Sequence, residues 1–191
     1  MRRVLLTLFY LTAAWQSVGT TALPDIRGIA TVGDKPAANV VVWIDGPLVA
    51  HGPSPATVVD QRNLNFYPRV LAVQVGTQVE FPNHDRVFHN VFSFHDGKKF
   101  DLGLYPTGTA KQMTFDKPGL SRLFCNIHPH MAGYIIAVPS QYFAVSDEAG
   151  QFTIRGLTPG TYTYHVWRAG GTETSGTAVM GSTSRLEIRC P

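Results

Sequence analysis

Apolar residues in this chain recur in short alternating or unbroken runs, and no window of a dozen residues keeps an apolar 3.6-residue repeat clear of Gly or Pro. The runs NFYPRVLAVQVG, TQVEFPN, HNVFSF, KQMTF, SRLFCN and AGYIIAVP follow one another between residues 58 and 140. Gly, Pro, Asn and Asp turns part them at the spacing of a sandwich or barrel. The pattern predicts an all-β chain in which any helix is short. Upstream, DIRGIATVGDKPAANVVVWIDG reads as a strand, a turn carrying Gly33 and Pro36, and a second strand from Val40 to Ile44. The Pro/Gly-rich link GPLVAHGPSPA follows it. Beyond Pro139 the style changes: turns at Asp147–Gly150 and Leu157–Gly160 precede a strand from Thr161 to Trp167.

The ends and the charge narrow the setting. Arg2 and Arg3, an apolar run from Val4 to Trp15 and small residues around Ala22 have the layout of a secretory signal over residues 1–22. That run is short of the ~20 apolar residues a membrane span needs. A periplasmic or secreted protein is expected, without a membrane span once the signal is cleaved. Cleavage removes two arginines and no acid, bringing the formal charge from +3 to +1. No Lys/Arg cluster remains to neutralise phosphates, so nucleic acid is not an expected partner. Cys125 and Cys190 in an exported chain could form a disulfide, but Cys125 has a use that needs a free thiolate.

That use lies in LFCNIHPHMAGYI, which places Cys125, His128 and Met131 in a C-x2-H-x2-M array on a turn between two strands. In FPNHDRVFHNVFSF, His89 opens another strand and can supply a fourth ligand from a neighbouring loop. A thiolate, two imidazoles and a weakly held thioether describe a blue-copper electron-transfer site; zinc rarely takes a thioether. One type 1 copper is therefore the expected cofactor, with His89, Cys125, His128 and Met131 as metal ligands. His130 competes with Met131 for the last position. His84, His95 and His51 are read as loop residues, with a second copper site among them as the alternative. His165 is read as a strand side chain, Met113 as core, Asp147 as a turn former, and Trp43 and Trp167 as core residues of a second sandwich. Cys190 is expected to be unpaired or available to another chain.

The Asp60, Gln61, Asn63, Phe66 and Pro68 run, the Val73–Asn83 strand pair, His89-Asn90 and the Cys-His-Met loop ending in Gly133-Tyr134-Ile135 together resemble cupredoxins of the plastocyanin and amicyanin group. The short ligand loop is most similar to amicyanin. The resemblance implies a Greek-key cupredoxin sandwich over residues 58–140. It makes His89 and Cys125 buried ligands, gives His128 an edge near solvent, and sets Met131 as the axial ligand. It also makes Asn90 the brace between the two ligand loops, with Phe88, Pro129, Met131 and Ala132 around the His128 edge as a docking face for transient redox partner proteins.

The flanking pieces resemble the carboxypeptidase regulatory-like (transthyretin-like) β-sandwich, through Asp147-x-x-Gly150-x-Phe152, Leu157-x-Pro159-Gly160-x-Tyr162 and a looser IRGIATVGDKPAANVVVWIDG. The implied organisation is an insertion: residues 23–47 and 141–191 fold together around the copper segment. The competing layout is a cupredoxin with an extra hairpin before it and a separate small domain after it. Two functions remain open: electron transfer by one copper without enzyme activity, and a copper carrier, store or sensor with a β-sandwich interaction module. No second copper cluster or Ser/His/Asp set supports an enzyme.

Overall fold

The computed structural model describes residues 25–47, 57–94, 97–181 and 185–191; the signal at 1–22, His51 and His95 lie outside them. Strands alone make up its regular structure. Residues before the Pro/Gly link form β1 (Ile26–Val32), β2 (Lys35–Pro36) and β3 (Val41–Ile44). The middle of the chain forms β4 (Thr57–Val58), β5 (Asp60–Arg62), β6 (Asn65–Tyr67), β7 (Val70–Gln74), β8 (Thr77–Pro82), β9 (Phe92–Ser93), β10 (Phe100–Asp101), β11 (Ala110–Phe115), β12 (Gly119–Phe124) and β13 (Ala132–Val138). The last part forms β14 (Phe143–Val145), β15 (Gln151–Ile154), β16 (Gly160–Trp167), β17 (Thr174–Met180) and β18 (Arg185–Cys190).

The earliest strands pair with the latest. β1 lies between β15 and β18, and β3 lies between β14 and β16, with β17 outermost. Alternation explains the first sheet: Ile26, Gly28 and Ala30 of β1 point inward. A Cβ on Gly28 would sit 2.1 Å from the Phe152 ring and 2.6 Å from the Leu186 carbonyl, so only glycine lets these strands close on each other. The middle segment makes a five-stranded sheet in the order β10-β9-β12-β13-β7 facing a sheet of β11-β8-β4, with the β5–β6 hairpin beside them. Phe66, Phe81, Phe115, Leu123 and Ile135 fill the space between.

A third cluster joins the two bodies. β3 is buried at all four positions, because Val42 and Ile44 enter the first sandwich while Val41 and Trp43 face the middle segment. β13 does the same: Ile135 and Ala137 enter the core of the middle segment, and Ile136 and Val138 meet Val41, Trp43 and Trp167. Strands covered on both faces read as unbroken apolar runs, which is the VVVWI and YIIAV pattern of the sequence. Trp43 and Trp167 are accordingly not core residues of the flanking sandwich, as its sequence suggests, but of the seam. Cys190 is free and 6% exposed in the first core, so it is not available to another chain.

Candidate metal centre

Two loops at one end of the middle segment carry the candidate ligands. His89 sits after β8 and is held by a two-way backbone bridge to Tyr105: His89 N–H donates to the Tyr105 carbonyl at 3.2 Å, and Tyr105 N–H to that of His89 at 2.8 Å. Tyr105 is anchored in turn, its hydroxyl donating to the Phe81 carbonyl at 3.0 Å and accepting from Gln61 Nε2 at 2.5 Å. Burial pushes its phenol well above the ordinary range, so it stays protonated. Cys125 follows the last residue of β12, and the turn back to β13 presents His128 and Met131, with Met131 N–H donating to the His128 carbonyl at 2.9 Å.

The structure brings His89, Cys125 and His128 together. Cys125 Sγ lies 3.7 Å from His89 Nδ1 and 3.6 Å from His128 Nδ1, and the two nitrogens are 3.0 Å apart. A point equidistant from the three atoms of that triangle is about 2.0 Å from each, which is metal–ligand bonding distance. His89 is 0% and Cys125 3% exposed, whereas His128 is only partly buried. Met131 is wholly buried in the same core cluster as Cys125. His130 is exposed, its ring 6.3 Å from that of His128. Met131 also lies below the surface rather than on the expected docking face.

Asp85 orients the candidate ligand His89. Its Oδ2 lies 2.8 Å from His89 Nε2 and accepts from Leu64 N–H at 2.9 Å, while Oδ1 accepts from Asn63 N–H at 2.6 Å. With Nε2 donating to the carboxylate, the lone pair of the neutral ring is on Nδ1, facing Cys125 and His128. Burial works to raise the Asp85 pKa, but the bonds from Leu64, His89 and Asn63 prevail and hold it below the usual value. Burial and the neighbouring His89 and His130 lower His128, against a smaller pull from Asp85, which favours the neutral ring a metal requires.

Asn90 ties the loops together. Its Oδ1 accepts from Asn126 N–H at 2.8 Å, and its Nδ2 donates to Asp101 at 3.1 Å. Sequence reasoning missed Asp85 and Tyr105. The i−4 spacing of Asp85 from His89 is the available signal for the first, and nothing local marks the second. Other histidines stand apart: His84 pairs with Asp60 at 2.7 Å near the surface, and His165 lies on β16. Met113 packs against the core of the middle segment, and Asp147 accepts turn bonds from Ala149 and Gln151.

Residues 54–138 match the family model for copper binding proteins of the plastocyanin/azurin family. Residues 137–183 match the model described as polysaccharide lyase family 4, domain II, over the stretch where the sequence resembles a carboxypeptidase regulatory-like sandwich. No curated protein matches the chain. Among solved structures, similarity extends to a copper-containing nitrite reductase from Thermus scotoductus SA-01, at 30% identity over 48% of this chain and 24% of that one, TM-score 0.43. A purple cupredoxin from Nitrosopumilus maritimus is 24% identical over 43% of this chain and 99% of its own, TM-score 0.40. A Cu(I) form of an amicyanin variant is 25% identical over 51% and 98%, TM-score 0.41. The chain thus spans about a quarter of the nitrite reductase. Its middle segment is a cupredoxin domain, a copper-binding fold of the electron-transfer type, next to a β-sandwich.

Proposed function

We propose that this is an exported electron carrier that holds one type 1 copper through His89, Cys125, His128 and Met131. The observation that carries the reading is the triangle of two imidazole nitrogens and a cysteine sulfur, with a buried methionine in the same core cluster, the donor set of blue-copper centres. Copper, when bound, supplies the one-electron couple. The protein's residues do the rest: Asp85 and the Tyr105 bridge fix His89, Asn90 locks one loop to the other, and burial excludes water from Cys125. Ligands held by packing move little on oxidation or reduction.

The partly exposed His128 is the route for the electron. Apolar side chains flank the ligands in sequence, with Val87, Phe88 and Ile127 43%, 55% and 45% exposed. Such a face suits the small, transient contacts of redox partners. The leading residues 1–22, with the layout of a secretory signal, support a periplasmic or secreted setting. On this reading the protein converts no substrate. The pairing of β3 with β14 and β16 supports the copper domain being inserted in the flanking sandwich.

Addition of Cu(II) to the protein lacking residues 1–22 is expected to produce an intense visible thiolate-to-copper band and a reversible one-electron wave. Persistence of the band in Cys125→Ser would refute the ligand set. A tightly bound Cu(I) without a reversible wave would instead identify a carrier, store or sensor.

A further inference from the structure

Where the seam between the cupredoxin domain and the flanking sandwich ends, the surface does not close. A cleft of about 380 Å3 opens there, walled by Trp43, Leu120, Ile136 and Trp167. Its position is far from the metal centre: it borders Gly119, the first residue of β12, while Cys125 follows the last. Trp43 and Trp167 are buried in its walls, 6% and 7% exposed.

Three polar side chains stand in the cleft. His165 stacks on its cross-strand partner Trp43, ring centroids 5.0 Å apart and planes 7° from parallel. Its Nε2 is 2.9 Å from Asp45, and its Nδ1 is 3.5 Å from Glu173. A neutral imidazole has one N–H and satisfies one carboxylate only. The lining contains no Lys or Arg, so the cleft keeps net negative charge whether His165 is neutral or protonated.

We propose that this cleft binds a small organic cation with an apolar body. The body would pack against Leu120, Ile136 and the rims of Trp43 and Trp167, and the cationic head would meet Asp45 and Glu173 at the edge of the indoles. The volume lies in the range of small-molecule sites, which favour domain boundaries and apolar walls with few polar groups. A sugar fits less well, because its hydroxyl groups would be buried against Leu120 and Ile136 without partners. The proposal does not depend on copper.

The test uses the protein labelled with 5-fluorotryptophan, its fluorine signals assigned by Trp43→Phe and Trp167→Phe. The probe is benzyltrimethylammonium, compared with benzyl alcohol, benzenesulfonate and galactose. The cation is expected to shift both tryptophan signals saturably and to bind roughly tenfold more tightly than the alcohol, with no response to the sulfonate. The Asp45→Asn, Glu173→Gln double variant, changed only at exposed side chains, is expected to abolish that preference while still binding the alcohol. Equal binding of alcohol and cation, a response to galactose but not the cation, or no response to any probe would overturn the proposal.

Discussion

Replacing Asp85 by Asn isolates the effect of one charge on the proposed copper centre. The amide keeps the shape of the side chain and an oxygen for His89 Nε2, which the carboxylate meets at 2.8 Å. What disappears is a negative charge whose side chain is only 14% exposed. Through the imidazole ring it stands roughly 7 Å from the centre of the ligand triangle, where one charge acts on one further charge by about 2.4 kcal/mol at an effective dielectric of about 20. Cu(II) carries one more positive charge than Cu(I), so the oxidised state loses more. With about 59 mV per tenfold for one electron, the reduction potential should rise by about 100 mV. A loss of ~10–100-fold in Cu(II) affinity is the scale known for carboxylates behind metal-bound histidines. Cyclic voltammetry and competitive Cu(II) titration measure the two quantities, and circular dichroism of the apo-protein checks that the Asn63–Leu64 turn, which Asp85 also holds, has survived. Asn63→Gly, which keeps the backbone N–H and suits a φ of 54°, should leave the potential unchanged. A fall in potential, or a rise under about 20 mV in a folded Asp85→Asn protein, would refute the reasoning.

Three further outcomes follow from the packing. Asn90→Ala strands the Asn126 N–H and should cost about 1–3 kcal/mol in thermal unfolding, with faster hydrogen exchange at Asn126. Ile135→Ala and Ile136→Ala each empty a buried site and should each cost about 2–5 kcal/mol; only Ile135→Ala should broaden the visible copper band, since Ile136 faces the seam, and identical spectral effects would contradict the two-sided strand. Cys190, buried and with its thiol pushed up by that burial against a smaller pull from Arg168, should resist iodoacetamide at pH 8 until the protein unfolds. Rapid labelling of the folded protein would contradict that placement.

The all-β class was legible because alternation and turn residues report local geometry directly, and the C-x2-H-x2-M spacing is itself the turn that gathers Cys125, His128 and Met131. Asp85 was not legible. Its carboxylate works because Asn63 and Leu64, more than twenty positions earlier, adopt left-handed conformations and turn two N–H groups toward it. Tyr105 was equally hidden, since a backbone bridge to His89 leaves no trace in side-chain type. The tryptophans were misplaced for a related reason. A fully apolar strand announces that both faces are covered but does not say by what, and Trp43 and Trp167 belong to the covering that comes from another part of the chain.

The antiparallel pairing of β3 with β14 makes these two strands a hairpin whose connecting loop is the whole cupredoxin domain. Ser140 Oγ donates to the Ile44 carbonyl at 2.5 Å, so the loop's two ends touch. Closing roughly a hundred flexible residues rather than about four costs about 3 kcal/mol more in chain entropy. A copper domain that has already folded brings its ends together in advance and removes that cost. The two outer pieces of the chain therefore meet at the joined ends of the middle segment and along its β13 face.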